Sequence, residues 1–290
     1  QKKLDQQSQY WEASFLSKPE MFGLEPSLAA IKSLKLFQEQ NIKNIVELGA
    51  GLGRDTIFFA QNMLQQIKED VDGKRVLISG SGNVATHAAE KVLQLGGKPI
   101  TLSDSGGFIE CSDGLTQEQI DWIKELNDVR RGRISEAADE FANINFHADK
   151  RPWGVGADLA VPSATQNEIN GDDAAAMIKN GIQLVAEAAN MPCEQKAVDA
   201  FIDAGVNFGP AKAVNAGGVG VSGLEMSQNS ARIAWDEKQL ADMLQSMMKN
   251  IHDSCVEYGE ESGGKVNYLR GANIAGFVKV AEAMLSYGHV

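Results

Sequence analysis

Short apolar segments alternate with helical segments along most of the chain, and this alternation constrains the fold more than any other feature. The segments with strand character are RVLIS (75–79), PITLS (99–103), ADLAVP (157–162), IQLVAEAA (182–189) and VNFGP (206–210). Strands and helices in turn indicate βαβ units and a parallel sheet. We therefore predict an α/β fold with a doubly wound, mostly parallel Rossmann-like sheet. An extra N-terminal βα unit and C-terminal helices from about Ser222 would flank it.

The turn after the first of these strands has the pattern of a dinucleotide-binding loop. Gly80, Ser81, Gly82, Asn83, Val84 and Ala85 fit G-x-G-x-x-A between a strand and a helix. The first glycine permits the tight turn, the second lets the backbone approach a pyrophosphate, and Ala85 lets the helix lie close to the sheet. The free N–H groups of the helix start would hold the pyrophosphate. A tight turn in an unrelated α/β fold is the alternative.

Polar and basic residues follow at the place where the adenosine ribose should lie. Ser103 and Asp104 end the next strand, about twenty residues after the glycine turn. An aspartate there suits the 2′-hydroxyl of NAD, whereas Arg130 and its neighbours Arg131 and Arg133 suit the 2′-phosphate of NADP. These arginines could equally form a solvated surface. The chemistry of the residues therefore leaves the choice of cofactor open.

Longer motifs resemble those of one enzyme family. They are GKRVLISGSGNVA, TLSDSGGF, RRGRI, ADLAVPSATQNEI, AEAANMP, AVNAGGVGVSGLEMSQNSAR and RGANIAGFVKVAEAML. From about Phe59 to Val290 the chain resembles the C-terminal, coenzyme-binding domain of the hexameric glutamate dehydrogenases. The resemblance implies an oxidoreductase lineage, with hydride transfer between glutamate or 2-oxoglutarate and a nicotinamide dinucleotide. It favours NADP, with NAD as second choice, because the SDS strand end and the RRGRI arginines are similar to the NADP-using members.

The resemblance also implies roles for particular residues. Ala164, Thr165 and Asn190 would line the ribose and nicotinamide, and Asn215 would bond the nicotinamide carboxamide. Val219 and Ser222 would contact the substrate, with the Ser222 hydroxyl near its distal carboxylate. Thr165 and Ser222 could instead be helix N-caps, since both precede predicted helices.

One part of the family's machinery has no counterpart in the sequence. Glutamate dehydrogenases carry a catalytic lysine and aspartate on a separate N-terminal domain, with a Gly-rich segment of the GGGKGG kind. GGK at 263–265 has different surroundings. We therefore name no catalytic residue, and expect impaired turnover by this chain alone, because reductive amination needs those groups to polarise a carbonyl and move protons.

A second glycine loop, VELGAGLGRD (46–55), precedes the first by about thirty residues. With YWEASF and PEMFG it resembles the N-terminal part of class I S-adenosylmethionine-dependent methyltransferases, in which Glu47, Gly49, Gly51 and Gly53 would cradle the cofactor. That family needs an acidic residue at the end of a second strand. Asp70 and Asp72 occur at that distance, but no apolar strand leads to them. We therefore do not expect S-adenosylmethionine to bind.

The two resemblances meet inside a predicted helix around FFAQN, which suggests a chimera. We expect residues 1–62 to form a methyltransferase-like βα fragment and residues 63–290 the dinucleotide-binding domain. Two alternatives remain. The chain could be a methyltransferase-type protein that uses the 46–55 loop, or a recombined scaffold without a ligand.

Charge and composition exclude several other classes. The formal net charge of −12 argues against a nucleic-acid partner. The sequence shows no membrane span and no signal-peptide pattern. Three cysteines without paired spacing indicate reduced thiols, and four scattered histidines give no metal site. We expect a cytoplasmic protein whose partner is a small dinucleotide, and leave open whether it forms a homo-oligomer.

Overall fold

The computed structural model describes residues 53–288, and within them eight strands form two sheets. In chain order they are β1 (Arg75–Ile78), β2 (Lys98–Pro99), β3 (Thr101–Asp104), β4 (Gly107–Glu110), β5 (Asn145–Ala148), β6 (Leu159–Val161), β7 (Leu184–Ala186) and β8 (Asn207–Gly209). Five of them form a parallel sheet in the order β2-β1-β6-β7-β8. The chain leaves β1 toward one edge and later returns to fill the other side from β6, so the sheet is doubly wound as predicted.

Helices cover both faces of the parallel sheet. In chain order they are α1 (Arg54–Gln66), α2 (Asn83–Gln94), α3 (Gln117–Glu125), α4 (Glu136–Glu140), α5 (Gly171–Lys179), α6 (Gln195–Asp203), α7 (Ala211–Val214), α8 (Ala216–Ala231), α9 (Glu237–Gly259) and α10 (Tyr268–Tyr287). A π-helical turn, Leu126–Arg130, extends α3, and a 3₁₀ turn lies at Pro152–Gly154. No helix among these described residues has the length and apolarity needed to cross a membrane.

The strand side chains alternate between two hydrophobic cores. Val76 and Ile78 of β1 point into the core formed with α1, α2 and α9, whereas Leu77 points into the core formed with α5 and α6. β6 and β7 repeat this alternation, and all three strands are buried on both sides. Each buried Val, Leu or Ile side chain of these strands stabilises the fold by about 1.5–3 kcal/mol relative to exposure. This two-sided burial explains why the strands read as continuous apolar runs.

The strand predicted over 99–103 is wrong as a single strand, because the structure divides it. Lys98–Pro99 pairs with β1, whereas Thr101–Asp104 pairs antiparallel with β4, which in turn pairs with β5. At the division, the Ile100 amide donates to the Val76 carbonyl and the Ile100 carbonyl accepts from the Cys111 amide. The hydrogen bonding thus passes from one sheet to the other at Ile100. The sequence analysis missed β4 and β5.

The expected helix start near Ser222 is also wrong. α8 begins at Ala216 and includes the glycines of NAGGVG, which lower helix propensity. Close packing explains the glycines: a Cβ on Gly217 would overlap Asp55 Cβ, and one on Gly220 would overlap Met247 Sδ. Tertiary contacts therefore override local propensity in this segment.

The described residues include only part of the predicted N-terminal unit. The strand NIVEL and the residues Glu47, Gly49 and Gly51 lie outside them. α1 runs without a break through the predicted junction at residues 62 and 63, and buries Phe59, Met63 and Leu64 in the main core. The boundary between 1–62 and 63–290 stays a prediction.

Candidate functional site

The glycine turn after β1 is held in a conformation that requires glycine. Gly80 has φ +81°, and a Cβ on it would lie 3.1 Å from the Ser163 carbonyl oxygen. Its N–H donates to Ser103 Oγ at 2.8 Å, and its carbonyl accepts from the Ser103 N–H at 2.9 Å. A left-handed backbone and a close neighbour both disfavour any side chain here. Buried Ser103 therefore fixes the turn, a role that the sequence analysis did not predict.

The next glycine opens the start of α2 to solvent. Gly82 is the N-cap residue, it is exposed, and a Cβ built on it meets no atom of the described residues within 4 Å. No side chain of the described residues caps the helix at this position. The exposed Asn83 and half-buried Val84 follow in the first turn, where N–H groups lack intrahelical partners. Buried Ala85 packs the helix onto the sheet, so the first turn of α2 offers an anion site.

A residue that was not predicted from the sequence stabilises the glycine turn at Gly80–Gly82. Asn127, in the π-helical turn, donates through its side-chain amide to the Ser81 carbonyl. The Arg130 guanidinium lies 4.3 Å from the Trp122 ring centroid. A π-turn often occurs at functional sites because it re-aims side chains within a helix.

The loop after β6 lies directly beside the glycine turn. β1 and β6 are the neighbouring strands at which the chain reverses its direction of sheet filling, and ligands bind at the carboxyl ends of such strands. Exposed Ala164 and Thr165 lie here, and their N–H groups donate to Glu168 Oε1 at 3.0 and 3.3 Å. Burial raises the pKa of Glu168. The N-cap alternative for Thr165 is wrong, since Asn170 caps the next helix, α5.

Two asparagines predicted from the resemblance are in contact. Asn215 Nδ2 donates to Asn190 Oδ1 at 2.9 Å and to the Ala188 carbonyl at 3.2 Å. Nearby, the buried Glu187 accepts from the Cys193 N–H at 3.2 Å and the Ala211 N–H at 2.8 Å. Burial raises the pKa of Glu187. This carboxylate joins the end of β7 to the start of α7 and so supports the asparagine pair.

At the end of β3, the aspartate is engaged by the protein and an arginine is exposed. Asp104 Oδ1 accepts from the Gly106 N–H at 2.7 Å and Oδ2 from the Ile134 N–H at 3.2 Å. Arg133 Nη1 donates to Ser105 Oγ at 2.9 Å and lies 3.8 Å from Asp104 Oδ2, with 69% of its side chain exposed. Arg133 thus lies beside Asp104, at the expected ribose position.

The two predicted substrate residues lie on α8. Val219 is 77% exposed, and the Ser222 hydroxyl donates to the Gly218 carbonyl at 3.3 Å, one turn earlier in the helix. The N-cap alternative for Ser222 is therefore wrong, because the residue lies inside α8. The exposed Val219 leaves this face of α8 open among the described residues.

The end of the other glycine loop has a packing role. Gly53 has φ +64°, and a Cβ on it would overlap the Val84 carbonyl oxygen. Asp70 and Asp72 lie in the turn between α1 and β1, with no strand leading to them. In the described part of this loop, glycine is thus explained by contact with α2.

The thiols of Cys111, Cys193 and Cys255 are free and buried, and burial raises the pKa of each, to about 11 for Cys255. Within residues 53–288 no three His, Cys, Asp or Glu side chains are grouped as a metal ion would require. Cavities of about 420 and 500 Å³ lie near the start of β8 and between α9 and α10, away from the glycine turn.

Comparison with known proteins agrees with this geometry. Residues 50–288 match the Glutamate/Leucine/Phenylalanine/Valine dehydrogenase family. A glutamate dehydrogenase of Bacteroides thetaiotaomicron is 50% identical over 238 residues, which are 82% of this chain and 53% of that protein. An NAD(P)-specific glutamate dehydrogenase of Xylanibacter ruminicola is 49% identical over 236 residues, covering 81% and 53%.

The solved structures give the same result. Plasmodium falciparum glutamate dehydrogenase superposes with a TM-score of 0.80 at 37% identity, over 83% of this chain and 52% of that one. The chain spans about half the length of the curated relatives it matches. The chain belongs to the Glutamate/Leucine/Phenylalanine/Valine dehydrogenase family.

Proposed function

We propose that this chain binds a nicotinamide dinucleotide across the carboxyl ends of β1 and β6. The supporting observation is the glycine turn at Gly80–Gly82, which lies against the Ser163 carbonyl at the point where sheet filling reverses. The uncapped first turn of α2 offers N–H groups and a positive dipole end to the pyrophosphate. Backbone, rather than a charged side chain, would thus supply most of the phosphate recognition.

The surrounding residues give the dinucleotide a direction. The adenosine would lie toward Ser103 and Arg133, past the end of β3, because α2 starts between that strand end and the β6 loop. The nicotinamide ribose would lie along Ala164 and Thr165. The nicotinamide carboxamide would then reach the Asn190–Asn215 pair, whose free amide oxygen and nitrogen can complement an amide.

We propose NADP as the preferred cofactor, with NAD as second choice. Both Asp104 oxygens accept backbone N–H groups, so this carboxylate is less available to a ribose 2′-hydroxyl. Arg133 is exposed beside it and can pair with a 2′-phosphate, for which a guanidinium is well suited. The Xylanibacter ruminicola relative is named NAD(P)-specific, which is compatible with use of either cofactor.

The family membership supports a proposal for the reaction. We propose hydride transfer between the dinucleotide and glutamate or 2-oxoglutarate, with Val219 and Ser222 contacting the substrate. When bound, the nicotinamide ring supplies the hydride chemistry, and this chain's residues bind and orient it. Turnover by the chain alone should be impaired, because its sequence shows no Gly-rich lysine segment of the GGGKGG kind that could polarise the carbonyl.

The finer statements about the N-terminal region are also proposals. We propose that residues 1–62 derive from a methyltransferase-like segment, on the motif VELGAGLGRD, and that S-adenosylmethionine does not bind there. Gly53 supports the second point, because its contact with Val84 gives this glycine a packing role. A chimeric scaffold without any ligand is the remaining alternative.

We further propose a cytoplasmic protein that forms homo-oligomers. The support for self-association is the number of large apolar side chains exposed on α8 and α10, namely Val219, Met226, Phe277, Val280, Leu285 and Tyr287. A helix that is apolar on most sides is normally buried against other parts of a protein or against a partner. Light scattering during size-exclusion chromatography tests this point, and a monomer at all concentrations would contradict it.

Calorimetric titration of the purified chain with NADPH, NADH and S-adenosylmethionine tests the proposed function. We expect micromolar binding of NADPH, weaker binding of NADH and no heat from S-adenosylmethionine. Binding of S-adenosylmethionine alone would make the 46–55 loop the site, and no heat from all three would favour the scaffold. A turnover assay with 2-oxoglutarate, ammonium and NADPH then tests the expected impairment.

A further inference from the structure

The end of the 46–55 glycine loop contacts both helices that border the proposed dinucleotide cleft. On one side, Gly53 lies against α2: a Cβ on it would overlap the Val84 carbonyl and lie 3.1 Å from Ala88 Cβ. Two residues later, Asp55 lies against the start of α8. Residues 53–55 therefore join the helix expected to hold the pyrophosphate to the helix that begins beside Asn215.

Asp55 is buried at the N-terminus of α8. It is 5% exposed, and its Oδ2 accepts from the Gly218 N–H at 3.1 Å. Gly217 makes this approach possible, because any Cβ there would overlap Asp55 Cβ. Gly218 belongs to the first turn of α8, where N–H groups have no intrahelical partner. A carboxylate from α1 thus does for α8 what an N-cap side chain usually does.

The residue at the N-cap position of α8 uses its side chain elsewhere. Asn215 precedes the helix but makes no capping hydrogen bond, although asparagine is among the preferred N-cap residues. Its amide instead donates to Asn190 Oδ1 and to the Ala188 carbonyl. Because Asp55 bonds the first turn, the Asn215 side chain can face Asn190.

The charge of Asp55 is compatible with this position. Burial raises its pKa, and the N–H groups of Thr56, Gly218 and Gly217 act in the opposite direction. The side chain lies in the first turn of α1 and beside the first turn of α8, so two helix dipoles favour its ionised form.

We propose that Asp55 is a positioning residue for the nicotinamide half of the dinucleotide. By capping α8 from another helix, it holds Asn215 against Asn190 in the orientation that a carboxamide requires. The proposal rests on the proposed function. It gives the end of the 46–55 glycine loop a part in nicotinamide-dinucleotide binding, in place of S-adenosylmethionine binding.

The experiment compares two ligands that differ at the nicotinamide end. NADPH and 2′-phospho-ADP-ribose, which lacks the nicotinamide, are titrated into the full-length wild-type chain, Asp55→Ala and Asp55→Asn. Loss of an N-cap side chain implies that Asp55→Ala weakens NADPH binding by about threefold to thirtyfold. The fragment should bind within about twofold of wild type, because its contacts lie at α2 and β3. Asp55→Asn keeps an oxygen acceptor and should restore most of the NADPH affinity.

The contrast between the ligands separates positioning from a general loss of structure. Equal weakening of both ligands, or unchanged NADPH binding by Asp55→Ala, would overturn the proposal. If Asp55→Ala does not fold, Gly217→Ala is used in its place. The new Cβ at position 217 would displace Asp55, while alanine favours the helix more than glycine does. Gly217→Ala should show the same selective loss of NADPH binding. Failure of the wild-type chain to bind either ligand would instead reject the proposed function.

Discussion

Asn215 and Asn190 bond to each other through their side chains, Nδ2 to Oδ1 at 2.9 Å, across 25 positions of sequence. The contact joins the end of β7 to the start of α8. With Nδ2 directed at Asn190 and the Ala188 carbonyl, Asn215 Oδ1 is the atom that can accept from a ligand amide. The proposed position of the nicotinamide depends on this pair.

Asn215→Asp tests the pair without changing its size. The substitution replaces the donor with an oxygen that faces two other oxygens, so we expect the side chain to turn away and NADPH affinity to fall about tenfold to a hundredfold. Asn250→Asp, on an exposed surface of α9, is the control. Calorimetry measures both. An Asn215→Asp chain that binds like the control would show that the pair does not contact the cofactor.

Two glycine substitutions separate folding from binding. Gly82→Ala should leave thermal stability nearly unchanged, because its Cβ meets no described atom within 4 Å, but it should weaken NADPH binding by blocking the pyrophosphate. Gly80→Ala should lower stability by about 1–3 kcal/mol, since φ is +81° and Ser163 is close. Gly276→Ala, in α10 and also free of contacts, controls for helix propensity. Unchanged NADPH affinity in Gly82→Ala would argue against the loop.

Arg133 should set the preference for NADP. Arg133→Gln removes the exposed guanidinium near Ser105, and we expect about tenfold weaker NADPH binding with NADH binding unchanged. Arg130→Gln is the matched control, because Arg130 lies over the Trp122 ring. Dissociation constants for both cofactors provide the measurement. A larger effect of Arg130→Gln would show that the control, and not Arg133, meets the 2′-phosphate.

Much of this site could be predicted from sequence, since Gly80, Gly82 and Ala85 follow rules of backbone and packing. The Asn127 bond to Ser81 could not, because it depends on a π-turn that places one amide against a loop 46 positions away. The start of α8 at Ala216 could not be predicted either, because its glycines lower helix propensity and are explained only by tertiary contacts. The hairpin of β3 and β4 was missed because Ile100 divides what reads as one strand. Local sequence patterns do not predict contacts between residues that are distant in the sequence.

Phe59 tests whether α1 belongs to the main core. Its ring is fully buried and packs edge-on against His252 and Tyr268 at centroid distances of 5.4 and 6.0 Å. Phe59→Ala should lower the free energy of unfolding by about 3–5 kcal/mol. Phe58→Ala, at a half-buried neighbour beneath Lys91, should cost clearly less. Urea denaturation measures both, and equal losses would contradict this packing.

His252 should make stability depend on pH. Burial lowers its pKa below the ordinary value of 6.5, so as pH falls through this range the unfolded chain takes up a proton before the folded chain does. The contribution of His252 is therefore present above pH 6.5 and is lost as pH falls toward the folded pKa. The pKa values of the Asp55, Glu168 and Glu187 carboxyls are raised, so these groups favour the folded chain as pH falls. Their effect is the same in wild type and in a His252→Gln chain.

Urea midpoints of wild type and His252→Gln, measured at about pH 7.5 and about pH 5.5, isolate the pH-dependent contribution of His252 to stability. The wild-type chain should lose more stability on acidification than the variant does. Parallel losses in the two chains would show that His252 is protonated as readily in the folded state as in the unfolded state.

The most direct test of the central claim is hydrogen–deuterium exchange of the full chain with and without saturating NADPH. We predict slower exchange in the peptides that contain the Gly80–Val84 turn, the Ala164–Thr165 loop and the start of α8 at Asn215. Protection confined to the 46–55 loop, or to the cavity near the start of β8, would contradict the account. An identical exchange pattern with and without NADPH would contradict it as well.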